Sequence, residues 1–373
     1  MTRCDAIVVG GGPAGSSCAR TLHEAGWNVL VVDRAQFPRD KVCAGWLTAD
    51  VFPLLGVTPE EYRASGATLQ EIRGFRTRVI GRKPIETRYP RTISYAIRRC
   101  EFDDFLLRRS GARVFGGTRV SSIRRSDDRW VINDEFEAPF VVGAGGHFCP
   151  VARHMRGGPD TSVPVVAKEA EFRLDADRRA VAADLPELLF CHDLQGYGWC
   201  VRKDSYVNVG IGRRGNRDFS RHVQSFIELL DRTMHIRTPA DVQWRGHAYL
   251  AWGVGARPVT SEGMVLVGDA AGLAYPESGE GIRPAIESGQ MAAAAIIRAG
   301  GSYSADALRP YAAALARRHP PRKPGSGVSD TVSAALGRML LQSSIFTRHV
   351  VIDRWFLRSG AALSAELPPP LPH

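Results

Sequence analysis

The chain has 373 residues, 44% hydrophobic and 24% charged, a globular composition long enough for a large core and two or three domains. Its net charge of +10 is spread as doubled arginines (Arg98-Arg99, Arg108-Arg109, Arg124-Arg125, Arg213-Arg214) without a basic tract or interleaved aromatics, which argues against nucleic acid as a partner. Seven cysteines without a Cys-x-x-Cys pair argue against a disulfide framework and a zinc site, so no metal is expected and reduced thiols place the chain in the cytoplasm. No signal peptide is expected before the first strand, and no apolar run reaches membrane-spanning length.

Asp5 to Arg34 organises the rest. Ala6 to Val9 is a short apolar run, the pattern of a strand buried on both faces. Gly10-x-Gly12-x-x-Gly15 follows, with Pro13 and Ala14 between the last two glycines. Gly10 allows the tight turn, Gly12 lets a phosphate approach the backbone, and Gly15 lets the next helix pack on the strand. Free N–H groups at that helix's N-terminus favour a pyrophosphate. Val29 to Val32 is a second strand, and Asp33, followed by Arg34, ends it where a ribose hydroxyl can be met.

The next loop reads Lys41-Val-Cys43-Ala44-Gly45-Trp46, and Thr48 is expected to cap a short helix. From here the chain resembles the geranylgeranyl reductase-like family of FAD-dependent oxidoreductases, within the para-hydroxybenzoate hydroxylase-like flavoproteins. That family carries a Lys/Arg-x-Cys-Gly/Ala-Gly stretch beside its flavin, so the resemblance assigns Lys41, Cys43, Ala44 and Gly45 to FAD. Thr68 to Tyr89 patterns as strands with turns at Gly74 and Gly81-Arg82. Tyr95-Ala-Ile-Arg98-Arg99 leading to Phe102-Asp103 resembles the family's Tyr-x-(Val/Ile)-x-Arg segment, which makes Arg99 the arginine that reaches FAD. Arg98 is equally readable as a solvated charge.

Ala112 to Val142 alternates like antiparallel strands, with Arg113 to Phe115, Thr118 to Ile123 and Trp130 to Ile132 as segments. Val120 falls in this stretch and is assigned to the cofactor by the resemblance. Phe140 to Gly146 is a strand ending in glycines, where the flavoprotein group usually has Gly-Ala-Asp-Gly. Gly145 stands at the acidic position. His147 has no acid paired with it in sequence and is expected to be structural.

Pro164 to Gly212 patterns as a second set of strands. Gly196-Tyr197-Gly198-Trp199 with Val207-Asn-Val-Gly resembles the family's sheet over the substrate pocket, so Tyr197 and Trp199 are either pocket lining or sheet packing. Phe219 to Met234 has helical period. Met264 to Leu266 leads into Gly268-Asp269-Ala-Ala-Gly272, then Tyr275-Pro276 and Gly279-Glu280-Gly281-Ile282. This resembles the third flavoprotein signature: Asp269 meets ribityl hydroxyls, and Gly279, Gly281 and Ile282 aim backbone N–H groups at the pyrimidine edge. Tyr275, like Tyr89 and Trp244, is a further aromatic candidate for the pocket. Tyr303 to Arg318 patterns as a helix, Pro320 to Gly327 as a linker, and Ser329 to Leu363 as helices that pack on the core or dock on a membrane surface. The tail 367–373 is expected to be extended.

The expected architecture is α/β, α+β overall: a three-layer Rossmann-like FAD-binding domain from residues 1–66, 92–160 and 250–320, a mixed or antiparallel substrate-binding sheet from 67–91 and 161–249, and a helical region and tail from 321 to 373. No second Gly-rich strand–helix–strand unit occurs, so NAD(P)H docking transiently, or an electron-transfer protein, must reduce the flavin. The resemblance implies reduction of C=C bonds in a lipophilic, isoprenoid-like substrate, with Cys43 either a proton source or packing. The alternatives are a monooxygenase of an aromatic or polyketide-type molecule, a flavin halogenase (disfavoured by few lysines and a missing paired-Trp motif), a non-redox flavin-dependent cyclase and a non-catalytic flavoprotein.

Overall fold

The computed structural model describes residues 1–158, 162–174, 181–253, 258–319 and 330–358. Its centre is a six-stranded sheet in the order Thr260–Ser261, Met264–Leu266, Phe140–Gly143, Ala6–Val9, Val29–Val32, Arg113–Phe115. Every neighbouring pair is parallel except the outermost, Thr260–Ser261 with Met264–Leu266. All four residues of Ala6–Val9 and of Val29–Val32 are buried, as continuous apolar runs in a covered parallel sheet must be. Helix Pro13–Glu24 packs against Ile282–Arg298, so that the first and third sequence signatures meet across a helix pair.

Arg113–Phe115 corrects the expected antiparallel run. It pairs in parallel with Leu30 to Val32 and closes the edge of the central sheet, because its backbone extends the ladder that Asp33 N–H continues to the Phe115 carbonyl. Thr118 to Ser122 is not a strand. Its Thr118 N–H turns back onto the Asp33 carbonyl. Antiparallel pairing begins only at Ile123–Ser126 with Arg129–Ile132, in a four-stranded sheet that also holds Phe136–Ala138 and Thr2–Arg3.

A seven-stranded sheet stands beside this unit, in the order Arg245–Tyr249, Val165–Arg173, Tyr206–Arg214, Gly196–Lys203, Glu187–Phe190, Gly74–Val79, Ile85–Arg88. It is antiparallel except between Glu187–Phe190 and Gly74–Val79. Residues alternate between its faces. Cys200, Val207, Val209 and Ile211 meet Val223, Phe226 and Leu230 of helix Phe219–Met234. Trp199, Val201, Phe75 and Leu188 belong to a second cluster with Leu341, Val351, Ile352 and Phe356 from the C-terminal helices. Each such residue, fully buried, contributes about 1.5–3 kcal/mol, so the C-terminal region is held by packing.

A three-stranded sheet, Trp46–Thr48, Ser94–Ile97 and Leu69–Ile72, joins the two larger ones. Thr48 is therefore a strand residue. The helix after it, Val51–Leu55, starts from Asp50, and the capping box lies at Thr58 and Glu61 of Pro59–Ala64. Helix Arg309–Arg318 is shorter than the pattern from Tyr303 implied, with Pro310 in its first turn. Asp330–Leu340, Ser344–Phe346 and Thr347–Phe356 make up the described C-terminal helices. The linker Pro320 to Gly327 and the tail 367–373 lie outside the described residues.

Candidate flavin and substrate site

One cavity of about 980 Å³ runs between the central sheet and the seven-stranded sheet, and most of the residues singled out from the sequence line it. The Gly-rich turn forms one end. Gly10 has φ +114°, and a Cβ there would lie 2.4 Å from the Ala144 carbonyl oxygen. A Cβ on Gly15 would lie 1.9 Å from the Gly10 oxygen, so only glycine lets the helix begin this close to the strand. Gly12 caps the helix without a side-chain hydrogen bond, and a Cβ on it would meet nothing nearer than Arg39 Nη2 at 3.4 Å. The helix N-terminus thus presents uncapped backbone N–H groups to the cavity, the chemistry that fits a pyrophosphate. Asp33 lines the same end. Its carboxylate accepts from the Gly11 N–H at 2.7 Å and the Ala35 N–H at 2.9 Å, which fixes it and leaves a lone pair on each oxygen for a ribose hydroxyl.

The loop from Arg39 to Gly45 crosses the cavity floor. Arg99, 8% exposed, forms a bidentate pair with the fully buried Asp103 at 2.8 and 2.9 Å. Arg39 joins Asp103 at 2.9 Å. One carboxylate thus orients two guanidiniums toward the pyrophosphate end. Arg98 is instead bound to Glu171 and Glu101. Cys43 donates its backbone N–H to Glu169 at 2.8 Å, and its Sγ accepts from the Gly45 N–H at 3.3 Å. Burial pushes the Glu169 carboxyl up to about 7, against the opposing charge of Lys203. Gly45 is off the cavity wall but has φ +68° and lies against the Ile97 oxygen and Lys203.

Asp269 ends the strand Met264–Leu266 and faces Lys41 and His247. Lys41 Nζ lies 2.5 Å from His247 Nε2, and His247 Nε2 lies 3.8 Å from Asp269 Oδ2. Burial lowers Lys41 to about 8, with Arg99 and Arg39 adding to the effect and Asp269 opposing it. Burial likewise lowers His247, with Lys41 reinforcing the effect and Asp269 opposing it. Burial would raise Asp269, but the His247 hydrogen bond and the nearby cations outweigh it and keep the group ionised. Helix Ile282–Arg298 starts from Gly281 with no side-chain cap, a second set of backbone N–H groups open to the cavity. Gly279 has φ +69°, and a Cβ on it would strike the Tyr249 hydroxyl. Tyr197 O–H donates to the Ser278 carbonyl, tying the sheet to this loop.

The other end of the cavity is apolar. Trp46, Phe190, Leu194, Tyr197, Leu341 and Trp355 line it, and Tyr197 packs edge-on against Phe356 at 5.6 Å. Trp199 does both things the sequence allowed. It reaches the cavity, while its Nε1–H donates to Asn208 at 2.7 Å and its ring fills the space above Gly210.

Gly10, Gly12, Pro13, Ala14, Asp33, Arg34, Lys41, Cys43, Ala44, Arg99, Gly145, Asp269, Gly279, Gly281 and Ile282 all line this cavity. Four candidates are off the lining: Gly15, packed beneath the Gly10 turn, Gly45, Val120 and Tyr275. Val120 is half-buried against the central core, and Tyr275 lies behind the wall beneath the Arg358 guanidinium, 3.3 Å from its ring centre, and beside His319. Tyr89 binds Asp353 and Trp244 packs with the helix 219–234 cluster, both outside the lining. Sequence reasoning missed Arg39, His247, Tyr249, Glu280 and the C-terminal residues Leu341 and Trp355. Glu280 was inside a recognised motif, but the others come from chain segments with no motif of their own.

Two uncapped helix N-termini, Asp33 and Asp269 following their strands, and an apolar far end define a flavin-dependent oxidoreductase. The chain belongs to the FAD binding domain family, whose model matches residues 3–312. It is 26% identical over 334 residues to digeranylgeranylglycerophospholipid reductase 3 of Methanosphaera stadtmanae, covering 83% of this chain and 81% of that one. It is 30% identical over 319 residues to menaquinone reductase of Mycobacterium tuberculosis, covering 78% and 75%. The fold is shared with a geranylgeranyl bacteriochlorophyll reductase-like protein of Thermoplasma acidophilum, with a TM-score of 0.72, 22% identity and 94% and 91% of the two chains covered.

Proposed function

We propose that this FAD-dependent oxidoreductase reduces C=C bonds in a lipophilic, isoprenoid-like substrate. The observation that carries the reading is the continuity of the cavity: its polar flavin end opens directly into the apolar end lined by Trp46, Phe190, Leu194, Leu341 and Trp355. Two relatives, a digeranylgeranylglycerophospholipid reductase and a menaquinone reductase, act on molecules with prenyl chains and support the same class.

Bound FAD would supply hydride transfer at its N5. The N–H groups after Gly12, with Arg39 and Arg99, would hold the pyrophosphate. Asp33 would hold the adenosine ribose, and Asp269 the ribityl chain. Gly279, Gly281 and Ile282 would hold the pyrimidine edge. Lys41, beside His247, offsets the charge of Asp269. Tyr197, Trp199 and Phe190 exclude water from the bond to be reduced. Cys43 is the side chain proposed to give a proton there. A Cys43→Ala variant is expected to bind FAD normally and turn over slowly, and unchanged turnover would remove Cys43 from the chemistry.

NAD(P)H, docking transiently, is the proposed electron source, with an electron-transfer protein as the other donor. No helix among the described residues is long and apolar enough to cross a membrane. The exposed Phe148 and Val163 line the cavity, and the exposed Leu336, Met339 and Ile345 neighbour its lining residues Gly337, Leu341 and Phe346. This apolar rim supports peripheral contact with a lipid surface, from which a prenyl substrate would enter.

The test is anaerobic reduction of the purified protein by NADPH, then mixing with prenyl lipids. Reoxidation by the lipid, with a product heavier by two hydrogens per double bond, is expected. Reoxidation only by air, with oxygen uptake and a hydroxylated product, would replace the reductase with a monooxygenase. A flavin that no donor reduces would point to a non-redox or binding role.

A further inference from the structure

The loop from Tyr275 to Gly281 holds a carboxylate that none of the steps above uses. Glu280 is 6% exposed and lines the cavity immediately before the uncapped N-terminus of helix Ile282–Arg298. Both of its carboxylate oxygens are buried without a hydrogen-bond partner of ordinary geometry. The fixed charges near it come from three elements. On the helix that follows are Arg283 and Glu287, and Arg283 Nε and Nη1 are bound to Glu287 and Asp50, each at 2.9 Å. From the C-terminal helix comes Arg358, engaged with Tyr275 and with Glu277 at 3.4 Å. From helix Arg309–Arg318 comes Arg318, bound to Glu287. Tyr197 faces Glu280 from the sheet and Tyr275 from the loop itself. No guanidinium hydrogen-bonds Glu280 directly, although Arg283 Nη2 and Arg358 Nε are also buried without a partner, so an ionised carboxylate there leans only on their charge and on the Arg283 backbone N–H.

We propose that Glu280 is the proton store of the reductive half of the cycle: it binds a proton when negative charge arrives at the N-terminus of helix 282–298 and gives it up into the cavity when that charge leaves. The proposal rests on FAD occupying the cavity and goes beyond the reading of the substrate. Burial pushes Glu280 up to about 7, with Arg283 and Arg358 holding it from rising further, so a charge added nearby tips it to the protonated form at neutral pH. Saturating one C=C bond consumes a hydride and a proton. The hydride comes from the nicotinamide by way of the flavin and forms the first C–H bond. Cys43 gives the proton of the second C–H bond as the hydride leaves, and the proton drawn from solvent onto Glu280 during reduction is released into the cavity, where it restores the thiol and returns Glu280 to its starting state. Cys43 and Tyr197, whose hydroxyl is tied to the Ser278 carbonyl, line the same cavity as Glu280.

The experiment is a potentiometric titration of the FAD-loaded protein from about pH 6 to pH 9, without substrate, so that substrate identity cannot affect it. Flavin absorbance is recorded first. A protein that binds no FAD overturns the functional reading, whereas the slope tests Glu280 alone. A two-electron couple moves by about 30 mV per pH unit for each proton taken up. In the window just above neutrality the wild type is expected to approach twice that slope. Glu280→Gln is expected to lose one proton and fall to the single value, and Glu280→Asp to keep both. Identical slopes in wild type and the Gln variant overturn the proposal. If the Gln variant does not retain FAD, Arg358→Met serves in its place. Removing that cation should move the break in slope to higher pH, and a break that does not move overturns the proposal equally.

Discussion

Gly289→Ala opposes two physical effects that differ in sign. On an isolated helix the exchange is stabilising by about 1 kcal/mol, because alanine is the better helix former. Gly289 lies in the middle of Ile282–Arg298, where that helix crosses Pro13–Glu24. A Cβ at this position would stand 2.3 Å from the Ala14 carbonyl oxygen, 3.1 Å from the Cys18 nitrogen and 3.2 Å from the Ala14 carbonyl carbon. All three are backbone atoms of a helix and cannot swing aside. The closest approach is about 1 Å too short, so the helices must part by a comparable distance, a misfit that costs about 1–3 kcal/mol in a packed interior. The two N-termini that would hold the pyrophosphate and the pyrimidine edge are carried by these two helices, so the separation falls on the cofactor. The expected result is a lower Tm and FAD affinity reduced roughly tenfold, equivalent to about 1.4 kcal/mol. Thermal melts of the apo and holo protein and a fluorescence titration with FAD measure both. A variant that melts higher and binds FAD as tightly as the parent would refute the packing argument, because helix propensity alone would then have decided the outcome.

Asp103→Asn removes the charge that holds Arg99 and Arg39, and leaving buried guanidiniums unpaired should cost about 3–5 kcal/mol in a urea melt and abolish FAD retention. Trp355→Ala shortens the apolar end and is expected to raise KM for a prenyl substrate by about tenfold with kcat little changed, whereas an equal fall in kcat would place Trp355 closer to the chemistry. In the apoprotein Glu280 is held near 7, against about 4.3 in an unfolded chain. The folded state therefore keeps a proton that the unfolded state has lost, so stability falls as pH rises from about 4.3 to 7, by up to roughly 4 kcal/mol from this group. Glu169 acts in the same direction. Wild-type stability minus that of Glu280→Gln, from urea melts at about pH 5 and pH 8, should drop across that window, and a constant or rising difference would contradict it.

How far the sequence reached is clearest at Gly10, Gly15 and Asp33. Their roles follow from local geometry, a left-handed turn, a close helix and a strand end, which a dozen neighbouring residues dictate, and the structure carries the same three features. The strands Ala6–Val9 and Phe140–Gly143 and the helix Phe219–Met234 were legible for the same reason, since hydrophobic period is a local property. Arg113–Phe115 was misjudged because nothing within three residues says whether the partner runs parallel, and that was decided by Leu30 to Val32 more than eighty positions away. His247, Arg39 and Trp355 were invisible on their own: each becomes part of the site only because the chain returns Lys41, Asp103 or Phe190 to its side. By itself the sequence determined that this chain builds a cradle for a dinucleotide, because that cradle is made of short contiguous turns. The tertiary structure alone decided the rest of the cavity, its apolar end and the solitary Glu280, because burial and charge are sums over neighbours drawn from the whole chain.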